Sequence, residues 1–363
     1  MRDVSRQYRV FISYSQPDRA LVEELDQILS TAGLKPLWDK HIAGGAEFSA
    51  RIQSFITNAH VFLAFLTPAA VNRPWLNQEA GFAAALGKPI LPVTLGPDPE
   101  GMLARLEAIR LREDLTDAIE KLPPKIFAQL VDTSSKSVTY ECTDDNPRRA
   151  EMLAEYADSV SALDEYGMVR QRASLTSFHL PNRGPTHAIW KKYYPTEARF
   201  LFEKLRGERI ALEKHARKAG CRLILDPVEF LGIVYKRYGR AGIRERINEL
   251  LVFLADGSVK DVAVAINNDS KRYSSLTLVG DWFLSEAVSS AISANRATAL
   301  KEAVFTRHQQ TVWQAVADFD EQMKELWAAK GWAESSSRSE AISYLQKGLR
   351  MYGRDRAEAG SPL

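Results

Sequence analysis

The sequence predicts an α/β protein of two domains, the first built on a parallel sheet with helices on both faces. Three observations predict this. Short runs that are apolar throughout alternate with amphipathic stretches over residues 8–95. A polar, turn-rich segment, residues 131–147, interrupts the chain after its first third. The chain's 363 residues also exceed the roughly 100–200 of a single domain. Strands without a polar side need cover on both faces, and the helices between them supply the crossovers that parallel strands require.

The elements follow in order. Tyr8–Tyr14 (YRVFISY) reads as a buried strand. Leu21, Leu25, Ile28 and Leu29 recur at helical spacing, and Gly33 stops that helix. Pro36–Trp38 is a short strand, and Asp39–Ala46, with Gly44-Gly45, is a flexible loop. Ile52, Phe55 and Ile56 mark a second helix, Val61–Leu66 a buried strand, Trp75–Leu86 a third helix and Ile90–Leu95 a further core strand. This is a flavodoxin-like layout, and ligands of such sheets sit beyond the carboxyl ends of the strands. From Gly101 to Phe127 the pattern reads as helical and charged, ending at Pro123-Pro124.

The expected organisation is a first domain over 7–130, a linker and connecting helix over 131–195, an α/β regulatory domain over 196–330 and a polar tail with a weak helix over 331–363. Within the second domain, Phe200–Ala219 and the stretch from Ile243 to Leu254 read as helices. Arg222–Leu225, Val262–Ile266 and Leu276–Val279 read as strands. Leu300, Val304, Val312, Val316, Phe319 and Met323 read as one long helix, broken near His308.

Composition narrows the function classes. With 45% hydrophobic and 26% charged residues, both domains can bury cores. A net charge of +2 gives no reason for wholesale binding to nucleic acid or an acidic membrane. Cys142 and Cys221 form no C-x-x-C pair, and His179, His187, His215 and His308 have no zinc-ligand spacing, so no metal is expected. There is no apolar leader and no run near the roughly 18–20 residues that span a bilayer. The expectation is a cytoplasmic protein with no membrane contact.

The chemistry-bearing segments have a familiar order. Phe11-Ile12-Ser13-Tyr14-Ser15, followed by Asp18 and an amphipathic helix, resembles the first signature box of TIR (Toll/interleukin-1 receptor) domains. Trp38-Asp39 with its Gly-containing loop resembles the segment called the BB loop in that family. Asn72-Arg73-Pro74-Trp75-Leu76-Asn77-Gln78-Glu79 resembles its Ser-x-x-Trp-x-x-x-Glu pattern, with Asn72 in place of Ser. The resemblance covers about residues 7–130.

Catalytic members of that family carry a glutamate where Glu79 stands, so the resemblance implies hydrolysis or cyclisation of NAD⁺, with NAD⁺ as substrate and no cofactor. One carboxylate suffices for such a bond, because nicotinamide leaves from a cationic state and needs no strong acid. Trp75 and Glu79 are four apart and share a helix face, and an aromatic wall suits a flat cation. Gly81 and the alanines around it leave the helix thin, which suggests a packing or access role. Phe11, Ser13, Trp38, Asp39 and Arg73 are the further substrate-binding candidates, each with core packing or a solvated loop as its plain alternative. His41 reads as a surface residue.

The second domain has no phosphate loop. Lys236, Arg237, Arg240 and Arg244, beside Tyr235 and Tyr238, are a candidate patch for an anionic ligand; the alternative is a solvated basic face. The fusion resembles bacterial antiphage immune effectors. In those, a second domain senses a nucleotide messenger, a nucleic acid or a protein, and assembly through TIR–TIR contacts activates NAD⁺ cleavage. A non-catalytic scaffold acting through the same contacts is the competing expectation.

Overall fold

A computed structural model describes residues 7–39, 46–70, 74–134, 140–179, 198–268, 274–289 and 300–353, apart from the side chains of 46–49, 198–199, 228–238 and a few element ends. The chain divides into two compact units, Met1–Thr139 and Tyr140–Leu363. Both are α/β.

In the first unit the order is β1 (Arg9–Ser13), α1 (Arg19–Thr31), β2 (Lys35–Leu37), α2 (Ala46–Asn58), β3 (Val61–Leu66), α3 (Pro74–Ala85), β4 (Ile90–Thr94), β5 (Ile109–Arg110), α4 (Ala118–Lys121) and α5 (Pro124–Ser134). The strands pair in parallel in the order β2-β1-β3-β4-β5. The middle strand, β3, is buried along its whole length, as a strand covered on both faces must be. Helix α1 buries Val22, Leu25 and Leu29, one stripe at helical spacing. The chain then reverses at Gly33 with φ of 84°, a conformation that costs glycine nothing.

Residues 101–127 correct the helical expectation. They hold a 3-10 turn at Gly101–Arg105, the strand β5 and the single-turn helix α4. Pro124 opens α5 rather than ending a helix; a proline at the first helical position loses no hydrogen bond.

The second unit runs β6 (Glu141–Thr143), α6 (Asn146–Ser161), β7 (Val169–Ala173), α7 (Ala198–Ala219), β8 (Cys221–Leu225), α8 (Pro227–Ala255), β9 (Val262–Ile266), β10 (Ser274–Val279), β11 (Phe283–Ser289), β12 (Leu300–Thr306), α9 (Gln309–Lys330) and α10 (Glu334–Gly353). Its seven described strands form one mixed sheet, β6-β12-β11-β10-β7-β8-β9. β7, β8 and β9 are parallel and the other pairings antiparallel.

Three expectations change here. Residues 140–179, read as linker and connecting helix, hold that helix as α6 and also supply β6 and the interior strand β7. Residues 300–306 are strand, not helix, with Ala303 and Phe305 alternating inward. The tail is anchored: from α10, Ser337 Oγ accepts from the Val264 N–H (3.3 Å), and Arg338 donates to the carbonyls of Leu254, Asp256 and Val259 (2.6, 2.8 and 3.1 Å). Trp327 donates to the Val264 carbonyl (2.8 Å), so edge strand β9 is capped by side chains from two helices. Among the described residues no helix is long and apolar enough to cross a membrane.

Candidate active site

The carboxyl end of β1 opens into a cavity of about 180 Å³. Its walls come from four places. Phe11 to Gln16 belong to β1 and the turn after it, Asp39 follows β2, Ile52 is on α2, and Ala70, Trp75, Leu76 and Glu79 come from β3's exit and α3. This is the end of a doubly wound sheet where ligands collect.

Glu79 is on the wrong face of its helix for an ordinary carboxylate. α3 buries Leu76, Glu79, Ala80 and Ala83 together, and Glu79 is only 6% exposed. Its Oε2 accepts a short hydrogen bond from Ser13 Oγ, and the Trp75 indole N–H donates to the same carboxylate. Loss of water pushes the carboxyl up to about 7, while the bonds from Ser13 and Trp75 pull it down. Such a group titrates where a cell operates, as acid–base chemistry requires.

The loops around it are tied together. Thr67 Oγ1 donates to Asp18 Oδ2 (2.5 Å) and Ser15 Oγ to the Ala69 carbonyl (3.2 Å). Both bonds join the turn after β1 to the turn after β3. The Tyr14 hydroxyl donates to the Asp39 carbonyl (3.2 Å). Burial first, then Asp39, push that phenol above its usual value, so Tyr14 stays a neutral donor.

The structure brings Phe11, Ser13, Asp39, Trp75 and Glu79 to one cavity. Trp75 is 37% exposed. Phe11 is buried and stacks on Phe55 (6.0 Å between centroids) and against Phe62 (5.6 Å). Trp38 does not line the cavity. It is 4% exposed, packed in the core edge-on to Tyr14 (5.8 Å), with the Arg19 guanidinium over its ring. Arg73 and His41 lie outside the described residues. A Cβ on Gly81 would meet nothing within 4 Å, so no close packing explains that glycine. Tyr14, Ser15, Gln16 and Ile52 line the cavity without having been singled out. The signal for the first three was their place just beyond a strand's carboxyl end.

In the second unit, Arg240 is half-buried and Arg244 exposed, after a break of α8 at Gly239 (φ 64°, ψ −166°). The side chains of Lys236 and Arg237 lie outside the described residues. The break means the basic stretch is not one helical face.

A family model described as the TIR domain matches residues 10–123. No curated protein matches the chain. Among solved structures, a CMP N-glycosidase of Clostridium botulinum, BcmB, matches with 20% identity and a TM-score of 0.26, over 31% of this chain and 97% of that one. The boxes at Phe11–Ser15 and Trp75–Glu79, the strand order and the family match agree: residues 10–123 are a TIR domain.

Proposed function

We propose that the TIR domain cleaves NAD⁺ at the bond between ribose and nicotinamide, with Glu79 as the catalytic carboxylate. NAD⁺ is the substrate and not a cofactor. The observation that carries this is a buried glutamate facing a cavity at the strand ends, flanked by Trp75 and held by Ser13.

The chemistry suits the geometry. The C1′–N bond breaks with its electron pair going to the pyridinium, which leaves neutral, so no proton need be delivered to it. Positive charge develops on the ribose, and a carboxylate in a site poor in water stabilises it far better than one in bulk solvent. A cationic ring in the cavity draws the Glu79 proton off, since an opposite charge favours the ionised form. The Trp75 ring offers that cation a π face. Whether water or an adenine nitrogen meets the ribosyl carbon decides between linear and cyclic ADP-ribose.

We further propose that the second unit regulates this activity. It senses a nucleotide, nucleic-acid or protein signal and drives self-association through TIR domains, as an antiphage effector would. The assay is nicotinamide release by the full-length protein at high concentration, with a panel of cyclic nucleotides and nucleic acids, beside Glu79→Ala and Glu79→Gln. Release that falls by about 10³-fold or more in both variants supports the enzyme. No Glu79-dependent release under any condition moves the reading to a scaffold that works through TIR–TIR contacts.

A further inference from the structure

We infer that Ser13 is the nucleophile of the reaction: its Oγ bonds to the ribosyl carbon in a covalent intermediate, and Glu79 takes and returns its proton. This rests on the proposed NAD⁺ cleavage. It assigns how the ribosyl group is held between the departure of nicotinamide and the arrival of the acceptor.

Geometry is the first argument. Ser13 and Glu79 both line the cavity, and Ser13 Oγ donates to Glu79 Oε2. The Trp75 side chain donates to the same carboxylate. A hydroxyl bonded to a base that a third group orients is the arrangement that activates a nucleophile. Among the described residues, Ser13 supplies the only O–H on this carboxylate.

The second argument is placement. β1 pairs with β2 on one side and β3 on the other, and Ser13, its last residue, is in register with Ala64 of β3. Alternate residues of a strand share a face, so Ser13 points the way Phe11 does, and Phe11 stacks on Phe55 of α2. From that face α3 reaches Ser13 with Glu79. A group on an interior strand is held more precisely than one on a loop. The turn that follows is tied at Ser15 and Asp18. The hydroxyl is therefore fixed at the strand end where ligands of such sheets sit.

The third argument is the work left for the carboxylate. Nicotinamide leaves neutral, so its departure asks Glu79 for negative charge and for no proton. Burial nevertheless raises this carboxyl to about 7, which makes it a stronger base than an ordinary glutamate. A stronger base has work where a hydroxyl must lose a proton and regain it. The steps balance. Nicotinamide departs with the C1′–N bonding pair, Ser13 Oγ bonds to C1′, and the Oγ proton passes to Glu79. In the second half the Oγ–C1′ bond breaks with its pair going to Oγ, and Glu79 returns the proton there. Water bonds to C1′ and loses its own proton to solvent through the freed Glu79 carboxylate.

A 2′-fluorinated NAD⁺ analogue tests this. Fluorine beside C1′ disfavours positive charge there and slows both halves, while the good leaving group lets the first proceed. Under a condition that gives nicotinamide release from NAD⁺, the full-length protein should release about one nicotinamide per chain from the analogue and then stall. Peptide mass mapping should place the fluorinated ADP-ribosyl group on Ser13. Ser13→Ala should form no adduct and should lower nicotinamide release from NAD⁺ by about 100-fold. An adduct on Glu79 or any other residue, continuous turnover of the analogue with no adduct, or a loss in Ser13→Ala below about 3-fold overturns the assignment. Where the analogue does not react, methanol as acceptor decides: two displacements at C1′ return methyl ADP-ribose of retained configuration, and an inverted product overturns the intermediate. If wild type releases no nicotinamide from NAD⁺ under any activating condition, the underlying reading fails and this one with it.

Discussion

The two units bury polar side chains for opposite ends. At the carboxyl end of β1, Ser13, Asp39 and Glu79 are buried against a cavity, and Glu79 carries a raised pKa because of it. In the second unit one set of buried polar groups closes on itself. Gln171 on β7 donates to Ser177 Oγ (2.7 Å) and Thr277 Oγ1 (3.0 Å), and its Oε1 accepts from the Ser177 N–H (2.7 Å). Ser177 Oγ donates to Glu208, whose other oxygen takes Arg149 Nη2 at 2.6 Å. A saturated network specifies one packing and resists change. The Glu79 carboxylate lines a cavity instead, and its bonds from Ser13 and Trp75 offset its desolvation only in part.

The sharpest way to break that contrast is to open the closed network. Glu208→Ala leaves the largely buried Arg149 without its carboxylate and Ser177 without its acceptor. Removing one member of a buried pair costs about 3–5 kcal/mol, so urea unfolding of the full chain should show a transition destabilised by that amount. A loss below about 1 kcal/mol would mean the network is no tighter than a surface pair.

The first unit should respond in the reverse sense. Burial pushes the Glu79 carboxyl up to about 7 in the folded protein, above its ordinary 4.5. Between those limits the folded protein holds more protons than the unfolded chain, so this residue makes stability fall as pH rises through about 7. Glu79→Gln keeps the shape and removes the ionisation. It should therefore raise stability at pH 8 by up to about 3 kcal/mol and leave it unchanged at pH 4. A variant equally stable or weaker at pH 8 would show that Ser13 and Trp75 fully compensate the burial.

How far the sequence carried differs between the units for the same reason. β1, β3, β4 and α1 bury apolar residues at their proper periods, and their pattern is legible. β5 has two residues, too few to show a period. Glu79 was legible only through its motif. Alanines surround it in α3, so no apolar stripe announces that it faces inward; tertiary packing decides that. Trp38 shows the converse, since an aromatic at a strand end looks the same as a cleft wall or as core.

In the second unit β7 reads Val-Arg-Gln-Arg-Ala, which no hydropathy pattern marks as interior. It is buried because Arg170 forms a two-pronged pair with Asp320 on α9 (2.7 and 2.9 Å) and Gln171 meets the network above. Those partners lie about 100–150 residues away in sequence. Long-range pairing of this kind leaves no local signal.

The smallest effect tests whether the cleft is tuned as well as open. Trp75→Phe keeps an aromatic wall for the cation but deletes the indole N–H that donates to Glu79. One lost hydrogen bond to a charged group, roughly 1.5 kcal/mol, should raise the Glu79 carboxyl by about one pH unit. Since a raised carboxyl must lose its proton before it can hold positive charge, kcat/KM should climb with pH through about 7 in wild type. In the variant that limb should move up by about one pH unit, with the plateau at high pH changed by only a few-fold. If the plateau collapses while the limb stays where it was, Trp75 serves as wall alone, and the pKa of Glu79 is set by burial and Ser13.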